Sequence, residues 1–219
     1  MRLPDPPLLV ITDRHQTREP LETVVEAAFA GGCRWLSLRE KDLTAPSREA
    51  LLRRVVAIGR RFGATVMVHD DIEAAIVAQA GGVHLPSGIP PAAARRRLGP
   101  QVLIGCSTHD ARELAAAAGA DYATLSPVFP SASKPGYGPA LGVARLAAAS
   151  AAARLPVIAL GGVDATNIVS CIDAGAAGVA VMSGVMAATD VSAVMAGLIR
   201  TLSAALAVRG SGGHSGAPS

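Results

Sequence analysis

Short apolar runs alternate with longer stretches of helical spacing along this chain, and the alternation recurs eight times in 219 residues. The apolar runs, rich in Val, Ile and Leu, lie at 8–12, 34–38, 65–69, 82–85, 102–105, 122–125, 156–160 and 178–182. Stretches with helical spacing lie near 20–30, 46–62, 71–80, 90–98, 110–118, 141–153, 165–174 and 190–206. Parallel strands need crossover helices, and strands that are apolar on both faces need cover on both sides. Eight such units predict an α/β fold, a single (β/α)8 TIM barrel.

The predicted barrel occupies residues 1–206, and the Gly-, Ser- and Pro-rich residues 207–219 are typical of a disordered tail. Glycines after four predicted helices, in the segments 30–32, 80–82, 118–120 and 174–176, suit helix ends that lead directly into a strand. An open doubly wound sheet is the alternative. Eight units of this length fit it poorly, and no Gly-x-Gly-x-x-Gly segment follows the first strand.

Composition and charge exclude several classes of protein. The net charge is +3 with only 3% aromatic residues, so the chain lacks the basic, aromatic-rich surface that binds single-stranded nucleic acid. Its three cysteines are widely separated, which argues against disulfides and against a zinc cluster. No run reaches the ~18 apolar residues of a membrane span, and no signal peptide is recognisable. We therefore expect a soluble, cytoplasmic protein without nucleic-acid or membrane partners; a homodimer is neither indicated nor excluded.

Cationic side chains follow the second predicted strand. Ser37, Arg39 and Lys41 are spaced two apart, so they share one face if the strand geometry continues. Chemistry in such barrels gathers at the carboxyl ends of the strands. Two cations aimed into one barrel mouth suit an anionic, phosphorylated small molecule. The alternative is a salt-bridged strand end in which Glu40 and Asp42 neutralise them.

Small residues follow the seventh and eighth strands, in the segments 160–163 and 181–184. Gly161 and Gly162 allow close backbone approach to a ligand, and a helix start at Met182 and Ser183 would present N–H groups to a phosphate. These two loops form the usual phosphate site of such barrels, although the glycines could also serve only tight turns. After the fifth strand, Ser107 and Thr108 offer hydroxyl donors and Asp110 suits a helix N-cap.

The segment after the sixth strand, residues 126–142, is far longer than an ordinary loop between strand and helix. It carries Ser131, Ser133 and Lys134 among glycines and prolines. A long loop with a single lysine predicts a lid that closes over an anion and excludes water, with a plain surface insertion as the alternative.

Histidines and carboxylates meet at the end of the third strand. His69, Asp70 and Asp71, with His84 from the next strand, allow a His/carboxylate transition-metal site in principle. The simpler interpretation makes His84 a hydrogen-bonded residue near the barrel core and Asp71 a carboxylate at a helix start. His109 is likewise typical of a helix start.

Seven stretches, in order along nearly the whole chain, resemble the thiamine phosphate synthase superfamily, which also contains the TenI-like thiazole tautomerases. The stretches are VITDR, LREK, GVHL, IGCSTHD, ADYATLSPVFPSASKPG, PVIALGGV and AGAAGVAVMSG. The resemblance implies a (β/α)8 barrel that couples hydroxymethylpyrimidine diphosphate to a thiazole phosphate, with Mg²⁺ on the pyrophosphate that is released.

The same resemblance implies roles for individual residues. The cations that face the pyrophosphate correspond to Arg39, Lys41 and Lys134, and a pyrophosphate-binding serine corresponds to Ser107. One of two Mg²⁺-binding aspartates corresponds to Asp70. The thiazole phosphate would be held by Ser131, Ser133, Gly162, Met182 and Ser183.

The chain also departs from the family pattern. His69 and Ser37 stand where synthases carry Asn and Gln, and Ile89 stands in place of the second Mg²⁺-binding aspartate, which it cannot replace because it has no oxygen ligand. The tautomerase histidine is replaced by Pro127, which cannot act as a general acid or base. Three hypotheses follow: a synthase, which leads; a tautomerase that uses His69 or His109; and a binder of phosphorylated ligands without activity.

Overall fold

The computed structural model of the protein describes residues 3–130 and 139–212. Within them, eight parallel strands form one closed barrel in chain order, which confirms the predicted TIM barrel. The strands are β1 (Leu8–Ile11), β2 (Trp35–Leu38), β3 (Thr65–His69), β4 (Gly82–Leu85), β5 (Leu103–Thr108), β6 (Tyr122–Leu125), β7 (Val157–Leu160) and β8 (Gly178–Val181). Each lies within three residues of its predicted bounds.

Helices connect the strands and cover the outside of the barrel. They are α1 (Leu21–Ala30), α2 (Ala45–Arg61), α3 (Ile72–Val77), α4 (Pro91–Leu98), α5 (Ala111–Ala116), α6 (Gly142–Ala152), α7 (Ile168–Asp173), α8 (Ser183–Met186) and α9 (Val191–Gly212). A short 3-10 helix, Arg14–Gln16, follows β1. Neither the 3-10 helix nor α8 is predictable from periodicity, because each is about one turn long.

Two hydrophobic cores result from the alternation of side chains along the strands. Outward-facing residues such as Val10 and Leu36 pack under the helices, in the larger core. The inward-facing residues fill the barrel: Leu9, Ile11, Trp35, Met67, Leu103, Tyr122, Ile158 and Ala180. Trp35 and Tyr122 meet edge to face with ring centroids 4.7 Å apart, and the Trp35 indole N–H donates to Met67 Sδ at 3.0 Å. The lower barrel is therefore a packed plug rather than a channel.

Toward the carboxyl ends of the strands the inward-facing positions become polar. Register pairs His69 with His84 and Ser107 with Thr124 across adjacent strands. Because side chains alternate with a period of two, Ser37 and Arg39 follow Trp35 on the same inward face of β2. The apolar plug thus ends in a layer of hydroxyls and imidazoles beneath the barrel mouth.

The last helix differs from expectation in two ways. It extends to Gly212, past the predicted start of the tail at residue 207, and Arg209 Nη1 donates to the carbonyl oxygens of Ile172 and Ala176 at 3.1 and 2.7 Å. By length and composition alone it is also apolar enough to cross a membrane, with a mean hydropathy of 1.8, contrary to the expectation that no stretch of the chain is. Met195 and Leu198 on this helix are buried against the barrel, and 28% of its apolar window is buried in all.

Candidate active site

The predicted site residues that the structure describes all lie at the carboxyl end of the barrel, on or just after their strands. These are Ser37, Arg39, Lys41, His69, Asp70, Ser107, Gly161, Gly162, Met182 and Ser183. Three further predicted residues, Ser131, Ser133 and Lys134, lie outside the described residues. The closed, in-order barrel brings these ten residues, from five strands, to one mouth, where parallel barrels carry their chemistry.

A buried carboxylate organises the ends of β1 and β2. Glu40, only 2% exposed, accepts hydrogen bonds from Thr12 Oγ1 at 2.6 Å and from the Arg14 backbone N–H at 3.1 Å. Thr12 Oγ1 in turn accepts the backbone N–H of Arg39 at 2.9 Å. One hydroxyl therefore connects the backbone that carries Arg39 to a fixed negative charge.

The second carboxylate of this segment is paired as well, but not with the predicted cations. Asp42 accepts from Arg14 Nη1 at 2.6 Å and lies 3.1 Å from His15 Nε2, and the Arg14 guanidinium holds the pKa of Asp42 well below its usual range. No salt bridge within residues 3–130 and 139–212 involves Arg39 or Lys41. The salt-bridged strand end is therefore real, but its cation is Arg14, and the charges of Arg39 and Lys41 are not offset there.

His84 joins two hydroxyls across the barrel interior. Its Nδ1 lies 2.8 Å from Tyr122 Oη, and its Nε2 lies 3.0 Å from Ser107 Oγ. Burial, together with the nearby charge of Arg39, lowers the pKa of His84 to about 4, so the ring is neutral at physiological pH. The expectation of a hydrogen-bonded histidine near the core is confirmed.

The three residues at the end of β3, His69, Asp70 and Asp71, have different roles. The His69 ring stacks on that of His84 with centroids 5.2 Å apart. Asp70 is exposed, has a positive φ of 57°, and its N–H donates to the His84 carbonyl at 2.9 Å. Asp71 caps α3 by accepting the Ala74 N–H at 2.8 Å, as predicted for a helix-start carboxylate.

A three-ligand metal cluster is not present at this strand end. Asp71 also accepts Arg48 Nε at 3.0 Å, so both of its oxygens have partners. No group of three or more His, Cys, Asp or Glu side chains suited to a metal ion occurs in the part of the chain that the structure describes. The transition-metal alternative therefore receives no support.

The start of α5 carries the other two residues singled out after β5. Asp110 caps the helix by accepting the Glu113 N–H at 2.8 Å, as predicted. His109 Nδ1 lies 2.8 Å from Glu113 Oε2, which also accepts the His109 N–H at 2.8 Å. His109 is thus held at the helix start by its own helix.

The glycines after β7 have left-handed backbone, with φ of 92° at Gly161 and 63° at Gly162. A Cβ at Gly161 would lie 2.7 Å from Pro127 Cα, and one at Gly162 would lie 2.4 Å from the Pro130 oxygen. The Phe129 N–H also donates to the Gly161 carbonyl at 2.9 Å. These glycines are therefore required for contact with the loop after β6, whatever they contribute to a ligand.

The start of α8 offers an unused hydroxyl. Ser183 Oγ is buried and has no hydrogen-bond partner among the described residues. Met182, just before it, approaches the β1 loop, where its sulfur accepts from Gln16 Nε2 at 3.5 Å. A phosphate oxygen is one group that could occupy the position facing Ser183.

The long segment after β6 is closed at its base. The Leu141 N–H donates to the Pro127 carbonyl and the Gly142 N–H to the Val128 carbonyl, each at 2.9 Å. The described ends, 126–130 and 139–141, contain no helix or strand. The predicted lid falls mainly on residues outside the described part and stays a prediction.

Sequence reasoning missed the residues that support the site from beneath. Glu40 and Thr12 were not singled out as a pair, and Tyr122 was assigned only to a strand. Glu40 could have been recognised from its position between Arg39 and Lys41, because strand alternation turns its side chain to the face opposite theirs. For Tyr122 the signal is its place on β6, inward-facing and beside Gly105 of β5.

Comparisons with known proteins point to one family. Residues 8–185 match the family described as thiamine monophosphate synthase. A Geobacter sulfurreducens protein, provisionally named thiamine-phosphate synthase, is 46% identical over 187 residues, covering 84% of this chain and 88% of the relative. The thiamine-phosphate synthase of Roseiflexus sp. (strain RS-1) is 36% identical over 208 residues, covering 93% and 88%. The solved thiamine phosphate pyrophosphorylase from Pyrococcus furiosus superposes with a TM-score of 0.81 at 28% identity, covering 91% of this chain and 96% of that chain.

Proposed function

Because this chain belongs to the thiamine monophosphate synthase family, we propose that it is a transferase of thiamine biosynthesis. It couples hydroxymethylpyrimidine diphosphate to thiazole phosphate, forming thiamine phosphate and releasing pyrophosphate. The observation that carries the proposal is the pair Arg39 and Lys41 at the barrel mouth. Their neighbouring carboxylates are held by Arg14, so their charge is available to a polyanion.

The step of this reaction that most needs catalysis is the departure of pyrophosphate. The bond from the pyrimidine methylene carbon to the diphosphate oxygen breaks with its electron pair on pyrophosphate, and the thiazole nitrogen then bonds to the carbon. Fixed donors that face the departing oxygens lower this barrier, which is the role proposed for Arg39, Lys41, Lys134 and Ser107. Ser37 and His69 would adjoin the pyrimidine ring. The thiazole phosphate would be held by Ser131, Ser133, Gly161, Gly162, Met182 and Ser183.

Mg²⁺ is the metal that the family resemblance implies, and the described residues allow a test of fit. Asp70 is an exposed carboxylate at the mouth, whereas Asp71 is engaged by the α3 start and by Arg48, and Ile89 has no oxygen to offer. Proteins often bind Mg²⁺ through one or two carboxylates together with waters and substrate phosphates. Asp70 therefore fits as the residue that would hold Mg²⁺ together with the diphosphate, and the ion would offset the charge of pyrophosphate.

The proposed activity needs only small phosphorylated molecules as partners, and all described candidate residues come from one barrel. We accordingly propose a soluble, cytoplasmic enzyme in which α9 packs on the barrel through buried residues such as Met195 and Leu202. Neither nucleic acid nor membrane enters this function.

The test is thiamine phosphate formation by the purified chain from both substrates, with and without millimolar Mg²⁺. We expect Mg²⁺-dependent product from the native chain, and a loss of about tenfold or more in Arg39→Gln, since a hydrogen bond to a charged group is worth ~1.5–3 kcal/mol. Arg53→Gln, an exposed arginine paired with Glu49 on α2, is the matched control. No product at any Mg²⁺ concentration rejects the proposal, and calorimetry with thiamine phosphate then identifies a binder without turnover.

A further inference from the structure

The side chains of Tyr122, His84 and Ser107 form a continuous hydrogen-bonded chain from the barrel plug to the mouth. Tyr122 and His84 are 0% and 2% exposed, while Ser107 is partly exposed at the mouth end. The two contacts, 2.8 Å at Nδ1 and 3.0 Å at Nε2, use both nitrogens of the imidazole. A ligand in the mouth can therefore touch only the last member, Ser107.

The protons of this chain can be arranged in two ways. A neutral imidazole carries one proton, and each hydroxyl can either donate or accept. If Nδ1 is protonated, it donates to Tyr122 and Ser107 must donate to Nε2, so the serine hydrogen points away from the mouth. If Nε2 is protonated, Tyr122 donates to Nδ1, the ring donates to Ser107, and the serine hydrogen is available to a ligand.

The surroundings favour the second arrangement. In the first, the phenol hydrogen of Tyr122 has Met67 Sδ as its acceptor at 3.5 Å, and a thioether sulfur is a weak acceptor. That sulfur already accepts the Trp35 indole N–H at 3.0 Å. In the second, the phenol, a better donor than an aliphatic hydroxyl, meets an imidazole nitrogen. An anion in the mouth adds to this preference because it accepts the serine hydrogen.

We infer that Tyr122 and His84 are positioning residues, which turn the Ser107 hydroxyl hydrogen toward an anion bound at the barrel mouth. The inference rests on the proposed function, in which Ser107 contacts the pyrophosphate. Neither residue touches the substrate. The His84 Nε2–H donates to Ser107 Oγ, and Tyr122 keeps that proton on Nε2 by donating to Nδ1. The serine oxygen is thus held with its O–H directed toward the mouth before the ligand arrives, and little reorganisation is needed.

The test is a double-mutant cycle read as affinity for inorganic pyrophosphate with Mg²⁺, measured by calorimetry. We expect Ser107→Ala and His84→Leu each to weaken binding about tenfold, and the double variant to bind no more weakly than either. His84→Gln, whose amide can place an N–H near the Nε2 position, should restore affinity to within about threefold. Ser203→Ala, at an exposed serine on α9, is the matched control.

A second readout does not depend on affinity. In the native protein with pyrophosphate, nitrogen NMR of the imidazole should show a protonated Nε2 and an unprotonated Nδ1 at His84. Tyr122→Phe should give a mixture of the two forms, because the inner donor is gone. This variant and His84→Gln keep the inference testable if His84→Leu does not fold.

The outcomes separate the inference from the function on which it rests. If the native chain does not bind pyrophosphate and forms no product, both are overturned. Suppose instead that the native chain binds pyrophosphate, but the losses of affinity in Ser107→Ala and His84→Leu add in the double variant, or Nδ1 of His84 carries the proton. Then only the positioning role of His84 and Tyr122 is overturned.

Discussion

The Thr12 hydroxyl donates a 2.6 Å hydrogen bond to the carboxylate of Glu40, and the same oxygen accepts the Arg39 backbone N–H at 2.9 Å. This contact joins the ends of β1 and β2 beneath the mouth. A buried carboxylate normally requires a cation or several donors, and Glu40 has both the hydroxyl and Arg14. The cation Arg39 is thus carried on backbone that a neighbouring strand holds in place.

We expect Thr12→Val to lower the free energy of unfolding by about 1.5–3 kcal/mol, because it removes a donor from a buried charge. It should also lower the rate of product formation, since the backbone of Arg39 loses its acceptor. Denaturant unfolding and the synthase assay measure the two effects. Thr201→Val, which removes a hydroxyl bonded within α9, should change stability by less than about 0.5 kcal/mol. Equal losses in both variants would contradict the proposed connection.

Gly162→Ala should destabilise the chain by about 2 kcal/mol or more, since Ala strains a φ of 63° and its Cβ would meet the Pro130 oxygen. Gly197→Ala, in the interior of α9 with its nearest contact at 3.8 Å, should instead stabilise by about 0.5–1 kcal/mol. Thermal unfolding measures both. Unchanged stability in Gly162→Ala would show that the two loops are not pressed together at this point.

Ile89→Asp should increase the affinity for Mg²⁺ in the presence of pyrophosphate by about tenfold, a gain of ~1.4 kcal/mol. The reason is that it adds an oxygen ligand at the position where the family carries its second aspartate. Ile76→Asp is the matched control, because Ile76 is similarly exposed but lies on α3. Titration calorimetry measures the change, and equal affinities in the two variants would argue against a metal site near residue 89.

The three cysteines should be unreactive in the folded protein. Cys33, Cys106 and Cys171 are buried, and burial raises the thiol pKa to about 12 for Cys33 and about 11 for the other two. At pH 8 we expect no labelling by a thiol reagent before denaturation and three labels after it. Rapid labelling of the native chain would show that a segment around one of these cysteines opens readily.

Stability should depend on the protonation of His84. Its folded pKa of about 4 lies below the ordinary value of 6.5, so the unfolded chain binds the proton more readily. This contribution is fully present above about pH 6.5 and is lost as the pH falls toward 4; its upper limit is ~3 kcal/mol. The unfolding free energy of His84→Gln should fall less over this range.

The fold could be predicted from the sequence because the patterns that specify it involve residues close together along the chain. Runs such as 65–69 and 178–182 are apolar on both faces, and helical stretches separate them, which together specify parallel strands with covered faces. The capping roles of Asp71 and Asp110 are equally local, since each side chain accepts an N–H three residues further on. The position of the ten described residues predicted for the site, all at the mouth, follows from the barrel itself.

Pairing between distant side chains could not be predicted in this way. Glu40 lies beside Arg39 and Lys41 in the sequence. In the closed barrel its carboxylate instead accepts hydrogen bonds from Thr12 and Arg14, 28 and 26 residues earlier. His84 likewise finds Tyr122 38 residues away, through the register of β4, β5 and β6.

The eightfold alternation, the helix caps and the residues that reach the mouth can thus be inferred from local sequence, because periodicity and capping depend on near neighbours. Which charges remain available to a ligand and which are already paired is seen only in the folded chain. That outcome depends on strand register and burial, which arise when the barrel closes.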